Sequence, residues 1–453
     1  MGSRFIDVIA VGRALLRVES QPMARTPNPP NHVIVATEPG ASINQYVKII
    51  NGPGVSKSQT GHSHSSGRFQ EHQNVHSHIP ASAVLIKLGN LAVYERSATM
   101  RSHAVLWTAE SQQSEDSLVT YALDRDEAVA LRNLSQECVQ QYGGAENQRL
   151  HADAPVIAAE LPRALRVAAN NARYCDRLHA FVVRNVVINP ELESTPAHWA
   201  TAQSGGSSSE SVALLLIAAL LGDTIGWQTQ QDGRLVTDVL PIKGLENSLV
   251  SSSSLTELGW HTEDAFSPYR ADYVGLLCLR RPSQVATTIS GVDPSRIPGD
   301  IRDTLREERF IIRPDSSHTA QFNVSHHRDS SFGHLRDIYE QPPRVAILSG
   351  SPYCPVLRID RDFTEAQPGD VVAEMALEWI IDHLDSRLYD LPLNPGEAVF
   401  LNNNNVVHGR RPFQPRFDGT DRWLKRVNIV TDLRRTRQGR LGDASRVITH
   451  SAN

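Results

Sequence analysis

The chain has 453 residues, a formal net charge of −5, 40% hydrophobic and 21% charged residues. That length builds one large core or two ordinary ones, and the mild acidity gives no reason to expect a nucleic-acid partner, which needs a basic face or stripe. The four cysteines, Cys138, Cys175, Cys278 and Cys354, form no CxxC pair, which excludes a zinc framework and suits a reduced, cytoplasmic protein better than a secreted disulfide scaffold.

The opening stretch "MGSRFIDVIAVGRALLRVES" is interrupted by Asp7, Arg13 and Arg17, so it lacks the apolar region of a secretory signal. Residues 1–115 are expected to be a low-complexity, disordered extension, because "RTPNPPNH" and "NGPGVSKSQTGHSHSSGRFQEHQNVHSH" carry little periodic hydrophobicity. His62, His64, His72, His76 and His78 could hold a metal only loosely. Nothing there imposes a geometry, so a solvated tail is the preferred reading.

Regular patterning begins near Leu118 and defines a domain over residues 116–453. "DRDEAVALRNLSQECVQQYGG" places Ala128, Leu131, Leu134 and Cys138 at helical spacing and closes on Gly143-Gly144. A second helix is expected over "LPRALRVAANNARY". "VALLLIAALLG", Val212 to Gly222, is the longest apolar run. It is too short to span a bilayer and reads as a core helix with Ser N-caps before it and a Gly stop after it, so no membrane partner is expected. Beyond it "GRLVTDVLPI", "DYVGLLCLR", "RVAILSG", "PVLRIDRDF", "EAVFLNN" and "RWLKRVNIVTDL" are short β-branched or aromatic runs bounded by turn residues, and read as strands. "AEMALEWIIDHLDSRLYDL" is one helix inserted among them. Helices first, then many strands, predict a mainly β fold with flanking helices, a sandwich or jelly roll.

Two histidines and one carboxylate form a triad suited to Fe(II), because three positions stay open for co-substrate and oxygen. H-x-D/E can supply two ligands from an extended segment, whose alternate residues point the same way. The chain holds four such pairs: His151/Asp153, His261/Glu263, His327/Asp329 and His383/Asp385. His383 falls in a helix pattern, where i and i+2 diverge, and reads as a helix-surface residue. His151 reads as a loop residue, and His327 sits in a polar connection. Only His261 and Glu263 directly precede a buried strand that could hold them; on the residues alone, the segment reads equally well as a polar turn. The other half of the constellation is distant. In "FLNNNNVVHGRRPFQPRFDGTDRWLKR", His408 stands near a strand end, a place for a third ligand. Fourteen residues on, Arg422 offers a guanidinium fork able to grip a carboxylate by two hydrogen bonds. Arg426 lies on roughly the same side. Asp360 and Asp362 in "LRIDRDF" face one way if the segment is a strand; two such acids form a receiver for a guanidinium, but on the residues alone a polar strand end meeting solvent is the preferred reading.

Taken together, "HTEDAFSPYRADYVGLLCLR" and "HGRRPFQPRFDGTDRWLKR" resemble the clavaminate-synthase-like branch of the Fe(II)/2-oxoglutarate oxygenases, and within it the amino-acid β-hydroxylases of peptide-antibiotic pathways, arginine hydroxylases among them. The resemblance extends through "TQQDGRLVTDVLPIKG", "SLVSSSS", "RPSQVATTISGV", "ERFIIRPDSSH" and "LRIDRDF", covering roughly Leu118 to Arg446. It implies a double-stranded β-helix (jelly roll) core, with iron held by His261, Glu263 and His408. Arg422 would bind the distal carboxylate of 2-oxoglutarate, assisted by Thr287 or Thr288. The substrate would lie among Gln230, Leu249, Ser251, Glu263, Asp360, Asp362 and Arg426. Arg426 would take its carboxylate, and the free oxygen of Glu263, helped by Gln230, its α-amine. The implied reaction is hydroxylation of the β-carbon of free L-arginine, using Fe(II), 2-oxoglutarate and O2 and giving 3-hydroxyarginine, succinate and CO2, in non-ribosomal peptide antibiotic biosynthesis. The rivals are 3,4-dihydroxylation, β-hydroxylation of lysine, asparagine or a cyclised arginine, and a jelly roll that binds a ligand without turnover; retention of the triad with Arg422 argues against the last. Two stretches depart from the pattern. Asn402 to Asn405 replace a more charged run before His408, where residues that orient a ligand are expected, and "HTAQFNVSHHRDSSFGHLRDIYEQPPR" diverges where a substrate loop is expected.

Overall fold

In the computed structural model of the protein, residues 117–449 are described apart from 203–206, 283–284, 324–329 and 441, together with four short strands among residues 1–101. Those strands, Ile6–Asp7, Arg17–Glu19, His32–Ala36 and Val84–Lys87, pair antiparallel in sequence order. Otherwise the expected disordered extension, its five histidines included, falls outside the described residues, as do His327 and Asp329.

Residues 102–453 form a unit of their own, built on two sheets. The larger runs Val447–Ile448, Asp223–Trp227, Trp423–Val430, Tyr273–Arg280, Ala398–Asn402, Leu178–Arg184 and Ser117–Ala122, with Thr237–Val239 also paired to Trp423–Val430. The smaller runs Tyr389–Pro392, Ala286–Gly291, Val406–Arg410 and Leu258–His261. Neighbours are antiparallel except the outermost pair at each end of the larger sheet. The chain passes back and forth between the sheets, which makes the core a double-stranded β-helix, as expected.

Side-chain alternation explains the layers. In Tyr273–Arg280, Val274, Leu276 and Cys278 face the interior between the sheets, joined there by Ile289, Val399, Leu401 and Leu424. Tyr273, Leu277 and Leu279 face the other way, onto the helices. A strand buried on both faces has to read as one apolar run, which is why this one was visible. Against its helical face pack Arg125–Tyr142, Arg163–Arg173 and Ser208–Ala218. The first of these starts with a capping box between Asp124 and Glu127 and stops at Gly143, whose φ of 82° is the left-handed conformation that glycine tolerates best. Ser208–Ala218 is apolar on every side and buried almost throughout, as a central helix has to be. Each leucine it buries contributes about 1.5–3 kcal/mol. Outside the smaller sheet, Trp260 and Val407 pack with Ile380 and Leu384 of the helix Val371–Ser386. No helix of the described residues is long and apolar enough to cross a membrane.

Three local expectations are corrected. His151 lies not in a loop but inside the helix Gln148–Ile157, fully buried; Asn147 caps that helix, and the pattern was hidden by Pro155 near its end. His383 is helical but faces inward, where it stacks on Trp379 and accepts from the backbone of Asp293. "PVLRIDRDF" is a strand only through Leu357; from Asp360 the chain turns.

Candidate active site

His261 ends the strand Leu258–His261 and is paired in register with His408 of Val406–Arg410. Trp260 and Val407 point out to the helix, so both histidines point in, with ring centroids 4.7 Å apart. His408 thus sits within a strand rather than after one, and His261 is held by its own strand rather than by the later run "DYVGLLCLR". Glu263 lies in the turn just beyond. Its Oε2 is 3.7 Å from His261 Nε2 and 3.3 Å from His408 Nε2. His261 Nδ1 donates to the carbonyl of Gly259 at 2.9 Å, which leaves Nε2 free to bind a cation.

The electrostatics match. Burial pushes the Glu263 carboxyl up, but Arg426 and the two histidines outweigh it and hold it well below the usual carboxylate range. Burial lowers His261, yet Glu263 and Asp360 bring it up to about 9. His408 is lowered, mainly by burial. Glu263 Oε2 is buried and accepts no hydrogen bond, an arrangement costly in isolation and natural for a metal ligand. One atom from each of the three residues lies within 4.8 Å of the others. The donor set, two imidazoles and a carboxylate, fits Fe(II) with open positions.

The strand Trp423–Val430 supplies the next layer. Arg422, Leu424, Arg426 and Asn428 share its inner face, while Trp423, Val427 and Ile429 face the helices. The Arg426 guanidinium forms an ion pair with Glu263 Oε1 and donates from Nε to Thr237 Oγ1 at 3.2 Å. Arg422 is 6% exposed and makes no hydrogen bond or ion pair among the described residues; burial lowers it to about 10. A buried cation without a partner is a receptor for an anion. The register also separates the two threonines. Thr287 pairs with Arg410 and shares the inner face with Ile289 and His408, whereas Thr288 pairs with Gly409 on the opposite face.

Beside the triad opens a cavity lined by Gln230, Leu249, Ser251, His261, Glu263, Asp315, Ser317, Asp360, Asp362 and Arg426, among others. Every substrate residue expected from the sequence is among them. Asp360 and Asp362 meet there through a turn and not a strand: Asp360 Oδ1 accepts from the backbone of Asp362 and Phe363. Arg361 swings away to Asp385, so among the described residues neither acid forms an ion pair with a lysine or arginine, and His261 is the cation that Asp360 feels. The turn is laddered onto the triad strand, with Asp360 bridged to His261 and the Thr262 amide donating to the Ile359 carbonyl at 2.8 Å. Burial raises Asp360 to about 7, against the pull of His261 and reinforced by Asp315 and Asp362. Gln230 donates its amide to Ser317 at 3.1 Å. The sequence reading missed Asp315 and Ser317 as lining residues. They stand in a short turn after Phe310–Ile312, capped by Asp315 itself, and nothing but turn chemistry marks them.

A jelly roll carrying a buried two-histidine, one-carboxylate triad, with a free buried arginine at its inner face, defines a non-heme iron oxygenase that uses a keto-acid co-substrate. No protein-family model matches the chain. Among curated proteins it is 38% identical over 341 residues to enduracididine beta-hydroxylase of Streptomyces hygroscopicus, covering 73% of this chain and 100% of that protein. It is 35% identical over 338 residues to the L-ornithine/L-arginine 3-hydroxylase of Catenulispora acidiphila, covering 72% and 98%. Among solved structures, non-heme iron oxygenase OrfP in complex with Fe, succinate and (3S)-hydroxy-L-Arg superposes with a TM-score of 0.70 at 37% identity, over 73% of this chain and 99% of OrfP. The chain therefore belongs to the Fe(II)/2-oxoglutarate-dependent oxygenases related to clavaminate synthase, and is an enzyme that depends on Fe(II), 2-oxoglutarate and O2.

Proposed function

We propose that the chain hydroxylates the β-carbon of free L-arginine, giving 3-hydroxyarginine with succinate and CO2 from 2-oxoglutarate and O2, and that residues 116–453 carry this activity in the cytoplasm. The observation that carries the substrate is the trio Asp315, Asp360 and Asp362, three carboxylates that line one cavity and, among the described residues, form no ion pair with a lysine or arginine. A guanidinium supplies paired donors to such acids and relieves their mutual repulsion. Arg426 and Glu263, which also line the cavity, pair with each other. An amino acid's head carries both of their complements, its carboxylate for Arg426 and its ammonium for Glu263, with Gln230, Leu249 and Ser251 beside it.

Iron held by His261, Glu263 and His408 supplies oxygen activation coupled to decarboxylation of the keto acid. The chain's own residues do the positioning. Arg422 receives the distal carboxylate of the co-substrate, with Thr287 rather than Thr288 turned toward it. The acid turn is laddered directly onto the triad strand, so the distance from cation grip to metal is set by backbone. That distance selects the carbon presented, and a misplacement of about 1 Å can cost on the order of 100-fold in rate. The resemblance to hydroxylases of peptide-antibiotic pathways supports a use of the product in non-ribosomal peptide assembly.

The test is to load the protein with Fe(II) and 2-oxoglutarate without air, admit O2 with L-arginine, then quantify succinate and weigh the amino acid. One added oxygen is the expected result. Two would favour 3,4-dihydroxylation, a reading encouraged by the OrfP complex with (3R,4R)-dihydroxy-L-Arg. Succinate formed with unmodified arginine, while lysine or asparagine gains oxygen, would overturn the substrate. Asp360→Asn should raise the KM for arginine roughly 10- to 100-fold, the weight of a lost charged hydrogen bond of about 1.5–3 kcal/mol, and leave the KM for 2-oxoglutarate unchanged.

A further inference from the structure

The run Asn402 to Asn405 is the corner at which the chain leaves Ala398–Asn402 in the larger sheet for Val406–Arg410 in the smaller. One side chain in it does something its neighbours do not. Asn403 is 1% exposed, and its amide grips the backbone of Glu263 from both sides. Its Oδ1 accepts from the Glu263 amide at 2.7 Å, and its Nδ2 donates to the Glu263 carbonyl at 3.1 Å. A third bond runs from Nδ2 to the Ala271 carbonyl at 2.8 Å. Asn403 is itself fixed: its amide donates to Asp272 at 2.9 Å and its carbonyl accepts from Arg270 Nη1 at 3.0 Å.

We propose that Asn403 is a positioning residue for iron binding, holding the peptide of Glu263 so that its carboxylate is aimed at the metal. The proposal rests on the reading of Glu263 as an iron ligand. Glu263 has left the strand Leu258–His261 and has no ladder partner. The next residue, Asp264, is in the left-handed region at φ 53°, which a non-glycine residue adopts only with support. A primary amide presents the same C=O and N–H pair as a neighbouring strand, so Asn403 replaces the missing ladder with one side chain. The other support of Glu263 is its ion pair with Arg426, and in the proposed reaction the substrate's carboxylate engages that arginine. The clamp from Asn403 is then the support that does not change as substrate arrives. Asparagine is required for this. Aspartate has the same shape and still accepts from the Glu263 amide, but sets an oxygen against the carbonyls of Glu263 and Ala271.

The experiment is an anaerobic Fe(II) titration of metal-free, full-length protein, comparing the parent with N403D, N403A and N404A. Asn404 occupies the same corner and donates to Asp272 instead, so it reports what mere loosening of the corner does. Asn403→Asp and Asn403→Ala should weaken iron binding about 10- to 100-fold, the range seen when residues behind metal ligands are lost, while N404A stays within about twofold of the parent. Thermal midpoints of the metal-free variants are measured alongside, and iron affinities are compared at a temperature where every variant is folded, because a carboxylate at the buried position 403 also costs stability. The proposal is overturned if N403D binds iron like the parent, or if N404A weakens it equally. Iron retained by His408→Ala would instead remove the triad reading, and the proposal with it.

Discussion

His151 is an imidazole satisfied without a charge. It sits against Thr224 Oγ1 on one nitrogen and the Ala145 carbonyl on the other, and burial lowers it to about 4. The unfolded chain takes that proton near its ordinary value of about 6.5. Between those pH values the unfolded state therefore binds more protons than the folded one, and stability rises with pH. Its contribution is complete above about pH 6.5 and is lost progressively as the pH falls to about 4, a range worth about 3 kcal/mol. Denaturant midpoints of the metal-free protein should fall between pH 7 and 5, and His151→Gln should flatten that slope; an unaltered slope would show that other groups carry it. At this same scale the sequence was informative about ligands and silent about their supports. Four H-x-D/E pairs were alike as residue types, and it was the resemblance to the oxygenases that named His261, Glu263 and His408 together. Thr287 and Thr288 could not be told apart without the register that pairs Thr287 with Arg410. Asn403 stood out only as an oddity, because its role is a contact 140 residues away.

The strands of the smaller sheet come together where side chains are smallest. A Cβ added to Gly409 would stand 2.6 Å from the Leu258 carbonyl and 3.2 Å from the Trp260 Cα, both on the strand that ends in His261. Backbone cannot yield as a side-chain tip does, so Gly409→Ala should force the two histidine strands apart. The expected result is loss of tight iron binding, with the helices on the larger sheet intact by circular dichroism; wild-type affinity in G409A would show that the strands can spread without cost. Element type was legible where one periodicity dominated, as in Arg125–Tyr142 and Tyr273–Arg280. It was not where turn chemistry took over. The alternation of acids around Arg361 looked like a strand, but Asp360 captures two backbone amides and curls the chain, a competition aspartate commonly wins. The acids still converge on one cavity, for a reason other than strand alternation.

At the level of the whole molecule, the relatives and the OrfP structure are matched over about three quarters of the chain and nearly all of their own length. A chain begun at Ser102, where the second compact unit starts, should therefore keep its turnover of arginine within about twofold of the full chain, since no catalytic or substrate residue proposed above precedes it. A larger loss in steady-state kcat/KM would give residues 1–101 a part in the reaction.

The clamp between Asn403 and Glu263 spans 140 positions, and the pair between Glu263 and Arg426 spans 163. Contacts of such sequence separation form late, after the intervening loops have been closed. A nascent or half-folded chain thus owns the right ligand types in the wrong places and has no reason to capture iron. The reactive centre comes into being only with the finished barrel around it, and the oxidising chemistry is withheld until there is a wall to contain it.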